Sequence, residues 1–185
     1  MIYTDSIEQQ FLCAGVAFIC AISGSVFDLR ERKIPNRITA SAIAGGLVLH
    51  TAIGSWRGLA DSALAGAIAG VIFLIFYLAG GMGAGDVKLM AAVGCIESLG
   101  QLSTVLISTA VAGGVFAMAV SAYHRRTRQM LSNVGELLTH HRSRGLQPHP
   151  ALNLSNGQAL RLPFALPVAA GCLYTFCSVA WSAHP

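Results

Sequence analysis

Residues 80–100 read GGMGAGDVKLMAAVGCIESLG, and whether this stretch crosses a membrane decides the fold. Its apolar centre, VKLMAAVGCIE (87–97), holds Lys88 near its start and Glu97 at its end, so hydropathy alone leaves it undecided. The flanking runs are clearer. Gln9–Phe27, Ile38–Trp56, Ser62–Gly85, Ser98–His124 and Leu162–Pro185 contain no Asp, Glu, Lys or Arg. Each is near or above the roughly 20 residues that a helix needs to cross the hydrocarbon core. The whole chain of 185 residues agrees: 54% apolar, 11% charged, 20 glycines and a mean hydropathy of +0.62. A soluble domain carries roughly 25% charged residues and has too little interior to hide so much apolar surface. Disorder needs the opposite composition. The reading is an all-α membrane protein.

Charge placement settles the undecided run. With six crossings and the N-terminus outside, Arg30, Arg32, Lys33, Arg37, Lys88, Arg125, Arg126, Arg128, Arg142, Arg144 and Arg161 all face the cytoplasm. Of the 12 basic residues only Arg57 is left outside. Basic residues collect on the cytoplasmic side of membrane proteins, and without the extra crossing the split becomes five inside against seven outside. The expectation is a polytopic bundle of six transmembrane helices with both termini outside. It forms one membrane-embedded domain over 1–185, with a basic cytoplasmic loop at 124–161. The fourth crossing is short, and its start lies in a water-accessible dip. Asp5 and Glu8 precede the first run without any basic residue, so that run reads as a retained span rather than a signal peptide. The middle of the long loop, RQMLSNVGELLTHH, reads either as an amphipathic helix on the inner membrane surface or as a connector. Small-residue faces, among them GAIAG at 66–70, are packing material for close helix approach.

The basic residues orient the chain and do not argue for nucleic acid. The five cysteines form no C-x-x-C pair and lie in apolar runs, so neither a disulfide framework nor a zinc site is expected. His140, His141 and His149 do not make a metal set either. The acids are more informative. Asp5, Glu8, Asp61 and Glu97 fall in outer segments, and Glu136 falls in the large loop. Asp28, near the end of the first span, and Asp86, at the start of the fourth, are 58 positions apart yet share one membrane depth. Ionisable groups at such depth are functional candidates. Asp28 opens FDLRERKIPNR, in which Pro35 turns Ile34 away from helix and Asn36 is a candidate N-cap, giving a tight hairpin. Asp86 closes a glycine run that opens the backbone, which membrane depth tolerates only against protein or a wet cavity.

Two such carboxylates suit aspartyl hydrolysis: an ionised one takes a proton from water and a neutral one donates to the scissile carbonyl. At about 4 Å their repulsion, roughly 4 kcal/mol at an effective dielectric of 20, keeps one proton shared. An interrupted helix with carboxylates also suits a small ion- or proton-coupled transporter. A non-catalytic assembly subunit of a pilus or secretion apparatus is a third reading.

FDLRERKIPN (27–36) followed by GMGAGDVKLMAAVG (81–94) resembles the type IV prepilin peptidases, GxGD-type aspartyl proteases. Asp28, Ile34, Pro35 and Asn36 fill the first motif, and Gly83, Gly85, Asp86, Lys88 and Leu89 the second. The likeness extends loosely to RLPFALPVAAG at the last span. It implies a prepilin leader peptidase in the bacterial inner membrane, with Asp28 and Asp86 as the catalytic pair and no cofactor or metal. Gly83, Gly85, Lys88, Ile34, Pro35 and Asn36 would be supporting residues. The substrates would be prepilins and pseudopilins, cut at the cytoplasmic face beside their hydrophobic helix, and pilus assembly machinery would be a further partner. The short N-terminal segment and the missing C-x-x-C pairs resemble the protease-only kind associated with Flp/Tad pili. Lys88 and Arg30–Lys33 are read as orienting charges or as partners for an acidic group on the substrate.

Overall fold

The computed structural model describes residues 6–125, 127–145 and 163–183. Among the described residues every regular element is helical: α1 (Ile7–Glu31), α2 (Asn36–Leu78), α3 (Ala84–Tyr123), α4 (Thr127–Arg144) and α5 (Ala165–Ser182). Four of them, α1, α2, α3 and α5, are long and apolar enough to cross a membrane. α1 opens with a reciprocal cap. The Ser6 hydroxyl accepts from the Gln9 N–H at 3.4 Å, and the Gln9 side chain accepts from the Ser6 N–H at 3.1 Å.

α2 and α3 have 43 and 40 residues. As straight helices each would be about 60 Å long, twice the hydrocarbon core. Neither is straight. Ser55 (φ 55°, ψ −141°) and Ser98 (φ 61°, ψ 178°) leave helical geometry, and the chain doubles back at both. A Cβ on Gly46 would stand 2.8 Å from the Cys95 backbone, and one on Gly66 would collide with the Cys95 thiol. On one straight helix residues 46 and 66 would be about 30 Å apart. Asp86 and Ala117 line a single cavity, although a straight α3 would separate them by about 46 Å. Each long helix is thus two segments folded together: 36–54 with 56–78, and 84–97 with 99–123.

The undecided run is the centre of the molecule. Leu89, Met90, Val93 and Ile96 are buried, and α1, α2 and α5 all pack against α3. The segment 84–97 rises only about 21 Å. Its weak hydropathy is tolerated because it faces protein rather than lipid. The break that ends it is closed by α2. His50 Nε2–H donates to the Ile96 carbonyl at 2.9 Å, the Ser62 hydroxyl donates to the Cys95 carbonyl at 2.6 Å, and the Asp61 carboxylate accepts the Leu99 N–H at 3.1 Å. Groups freed at a helix end need such partners where lipid offers none. Asp61 and Glu97, read from sequence as residues of outer segments, are both buried. Glu97 is 2% exposed, and neither of its carboxylate oxygens has a hydrogen-bond partner among the described residues.

α4 covers the amphipathic stretch of the long loop and touches only α3 among the described elements. Arg126 and residues 146–161 of that loop lie outside the described residues. Trp56 and Trp181 stand exposed at the Ser55 turn and at the end of α5, where interface aromatics belong.

Close approach dictates one mutational outcome. A Cβ on Gly94 would sit 2.8 Å from the Ala65 carbonyl oxygen, whereas one on Gly45 meets nothing within 4 Å. Gly94→Val is expected to destabilise by about 1–3 kcal/mol, the usual cost of overpacking, and Gly45→Val to leave stability unchanged. Thermal unfolding of both purified variants in detergent checks this.

Candidate active site

Two helix ends meet at the site. α1 terminates at Arg32, whose φ of 52° is left-handed and whose N–H donates to the Asp28 carbonyl at 3.0 Å. That geometry costs a non-glycine residue roughly 1–2 kcal/mol, and it turns the chain sharply toward α2. Asp28 therefore sits in the last turn of α1, and only four residues separate α1 from α2. The expected tight hairpin is present. The cap differs from expectation: Pro35 occupies the N-cap position, and Asn36 is the first helical residue and makes no capping bond. Proline leaves no N–H to satisfy, and the Asn36 side chain is instead taken by Lys88, whose ammonium donates to Asn36 Oδ1 at 2.9 Å. Lys88 thus clamps the two sequence motifs together.

Asp86 is the third residue of α3. Its carboxylate reaches back to accept the Gly83 N–H at 3.2 Å, and its own N–H donates to the Gly83 carbonyl at 3.1 Å. A negative group is favoured at this end of a helix. Gly85 lies against the first motif: a Cβ there would stand 3.4 Å from the Ile34 side chain, an ordinary contact distance. Ile34 is buried, so the first motif packs directly on the second. One residue turn further, Leu89 fills the space in front of Gly24 on α1.

Sequence reading placed Asp28 only at the C-terminal end of α1. The structure adds a second environment. The N–H of Ala165, the first residue of α5, lies close to the Asp28 carboxylate, and the Ser25 hydroxyl, one turn earlier on α1, donates to the Ala165 carbonyl at 2.8 Å. Phe164, the N-cap of α5, supplies no side-chain cap. Asp28, on α1, lies beside this uncapped end. Both carboxylates therefore sit at helix N-termini, α3 for Asp86 and α5 for Asp28.

A cavity of about 580 Å³ joins them. It is lined by Asp28, Ile34, Pro35, Asn36, Gly83, Gly85, Asp86 and Lys88, so the expected catalytic pair and all six supporting residues face one space, while Leu89 and Arg30 do not line it. The two carboxylates are near enough for their charges to interact. Glu31, Arg32 and Lys33 complete the charged part of the wall, so the cavity is not uniformly basic. Its volume lies in the range of ligand pockets, about 300–1,000 Å³. Among the described residues no three His, Cys, Asp or Glu side chains come together as a metal set. Sequence reasoning missed Glu31 and Ala165 here. The first was hidden among orienting charges, and the second contributes only a backbone N–H.

This arrangement can do acid–base work on a bound amide. A model of the type IV leader peptidase family matches residues 15–118, which contain Asp28, the I-P-N turn and the glycine-rich stretch through Asp86. The chain belongs to that family and is a membrane-embedded protease of the prepilin-peptidase type. No curated protein and no solved structure matches it.

The Lys88–Asn36 clamp is testable. In a double-mutant cycle of Lys88→Ala and Asn36→Ala, unfolding free energies should show a coupling of about 0.5–1.5 kcal/mol, the net worth of one such bond near the surface. Fully additive losses would mean that the contact contributes nothing.

Proposed function

We propose that this chain is a GxGD-type aspartyl endopeptidase that removes the basic leader of prepilins and pseudopilins at the cytoplasmic face of the bacterial inner membrane. The observation that carries the reading is the convergence of Asp28 and Asp86 on one open cavity, each at a helix N-terminus. The two breaks at Ser55 and Ser98 support six crossings, with both termini outside and the Asp28–Asp86 end of the bundle inside. Eleven of the 12 basic residues then lie on the cytoplasmic side.

The chemistry follows from two acids sharing a proton. The ionised carboxylate accepts a proton from water as the water oxygen attacks the scissile carbonyl carbon. The neutral carboxyl gives its proton to the carbonyl oxygen. The tetrahedral intermediate then collapses: one of its two hydroxyls returns a proton to the carboxylate that had donated it, the C–N bond breaks, and the departing amine takes up the proton first removed from water, so the pair ends with its single shared proton. Gly83 holds Asp86 in place through its N–H, and Asp28 lies against the start of α5. Lys88, Ile34, Pro35 and Asn36 fix the hairpin against the glycine-rich turn. The cleavage is of the kind that serves Flp/Tad pili, and the two carboxylates carry it without calling on a cofactor in this reading.

Asp28→Asn and Asp86→Asn keep the volume of each side chain and remove its proton chemistry. Each should lower leader removal from a co-expressed prepilin at least about 100-fold while the protein still inserts and purifies as wild type. The mobility shift of the pilin on gels reads the outcome. Near-normal processing by either variant would refute the assignment.

A further inference from the structure

Asp86 is a wall between two spaces. On one side is the charged cavity shared with Asp28. On the other is a second cavity of about 400 Å³, between the glycine-rich turn, the 99–123 segment and the start of α5. Asp86 is the one described residue that lines both. The second cavity continues into a third of about 480 Å³, with which it shares Met82, Ala110 and Phe164. The third is bounded by apolar side chains of α2 and α3, and Phe76 and Ile107 on its rim are exposed on the outer surface of the bundle. Together the two form an apolar groove that starts at a carboxylate and ends at the lipid-facing side.

From this continuity we infer that the groove seats the apolar membrane helix of the peptide substrate, on the C-terminal side of the scissile bond. The inference rests on the proposed peptidase function and gives it a direction. Polarity sets the orientation. The wall containing Glu31, Arg32 and Lys33 suits the polar segment before the scissile bond, and the groove past Asp86 suits apolar side chains after it. The floor is built for a helix. Residues 106–117 of α3 rise about 16 Å, long enough for about eleven residues of a parallel partner. Ala110, Gly114 and Ala117 keep this floor low, and small faces let helices approach closely in lipid. A Cβ on Gly114 would meet nothing within 4 Å, so its smallness is not required by packing inside the chain.

That open space makes a clean test. Gly114→Leu starts from a Cβ in open space and extends into the groove, and Val115→Leu adds bulk on an exposed face beside it. The probe is a prepilin co-expressed in the same membrane. Gly114→Leu should slow leader removal at least tenfold, and Val115→Leu should process like wild type. In the Asp86→Asn background, a photo-crosslinking benzoylphenylalanine at Ala117 should capture the prepilin through its apolar helix. The same group at Val111, on the exposed side, should not. If wild type cleaves no prepilin, the peptidase reading itself fails and the groove assignment falls with it. If wild type cleaves and Gly114→Leu cleaves equally fast, the groove assignment alone is overturned. A crosslink from Ala117 back to the chain's own residues 146–162 in place of the prepilin also overturns it.

Discussion

A chain that leaves helical geometry at membrane depth exposes backbone groups that lipid cannot satisfy. This protein does so at both ends of its central segment, 84–97, and everything else is arranged around those two exits. At the Ser98 end, His50, Ser62 and Asp61 of α2 take the freed carbonyls and N–H. At the other end, the Gly83 N–H is taken by the Asp86 carboxylate, and the Asp28 carboxylate lies on the same cavity beside the start of α5. The same requirement is therefore met by different chemistry. Neutral donors and a buried acid close one end, and Asp86, which shares an open cavity with Asp28, closes the other.

The pair does more than cap. The Gly83 N–H fixes the Asp86 carboxylate, and the cavity gives both carboxylates access to a third party. The two sequence motifs are joined by contact rather than by proximity in the chain: Ile34 on Gly85, Lys88 on Asn36, Leu89 on Gly24. These contacts hold the end of α1 against the start of α3, which is the relation a shared proton requires. The apolar groove beyond Asp86 lies on the opposite wall, so a peptide bond at the carboxylates would be approached by a charged segment from one side and an apolar one from the other.

Much of this was legible in the sequence. Runs without charge gave the limits of the helices, and the chain breaks at Ser55 and Ser98 fall where those runs end. The distribution of basic residues decided that 87–97 belongs in the bundle, where its burial explains its weak hydropathy. Asp28 and Asp86 stood out because few acids compete with them. Less legible were partners distant in the chain. His50 and Ile96 are 46 positions apart and Ser62 and Cys95 are 33 apart, and no local period encodes such pairs. A polar residue alone in an apolar run, as His50 is, does signal that some partner exists. Asn36 was misread as an N-cap because its local context allows one; the distant Lys88 outcompetes that role. Ala165 had no signal at all, since its contribution is a backbone group common to every residue type but proline.

The central claim is that two carboxylates act as one acid–base unit, and the pH dependence of the purified enzyme tests it most directly. Initial rates of leader removal from a reconstituted prepilin, followed across the range in which protein and vesicles stay intact, should rise and then fall. The two limbs belong to the first and second proton losses of the pair. A rate that climbs with pH and then stays level would mean that no protonated carboxyl is needed, and would contradict the account.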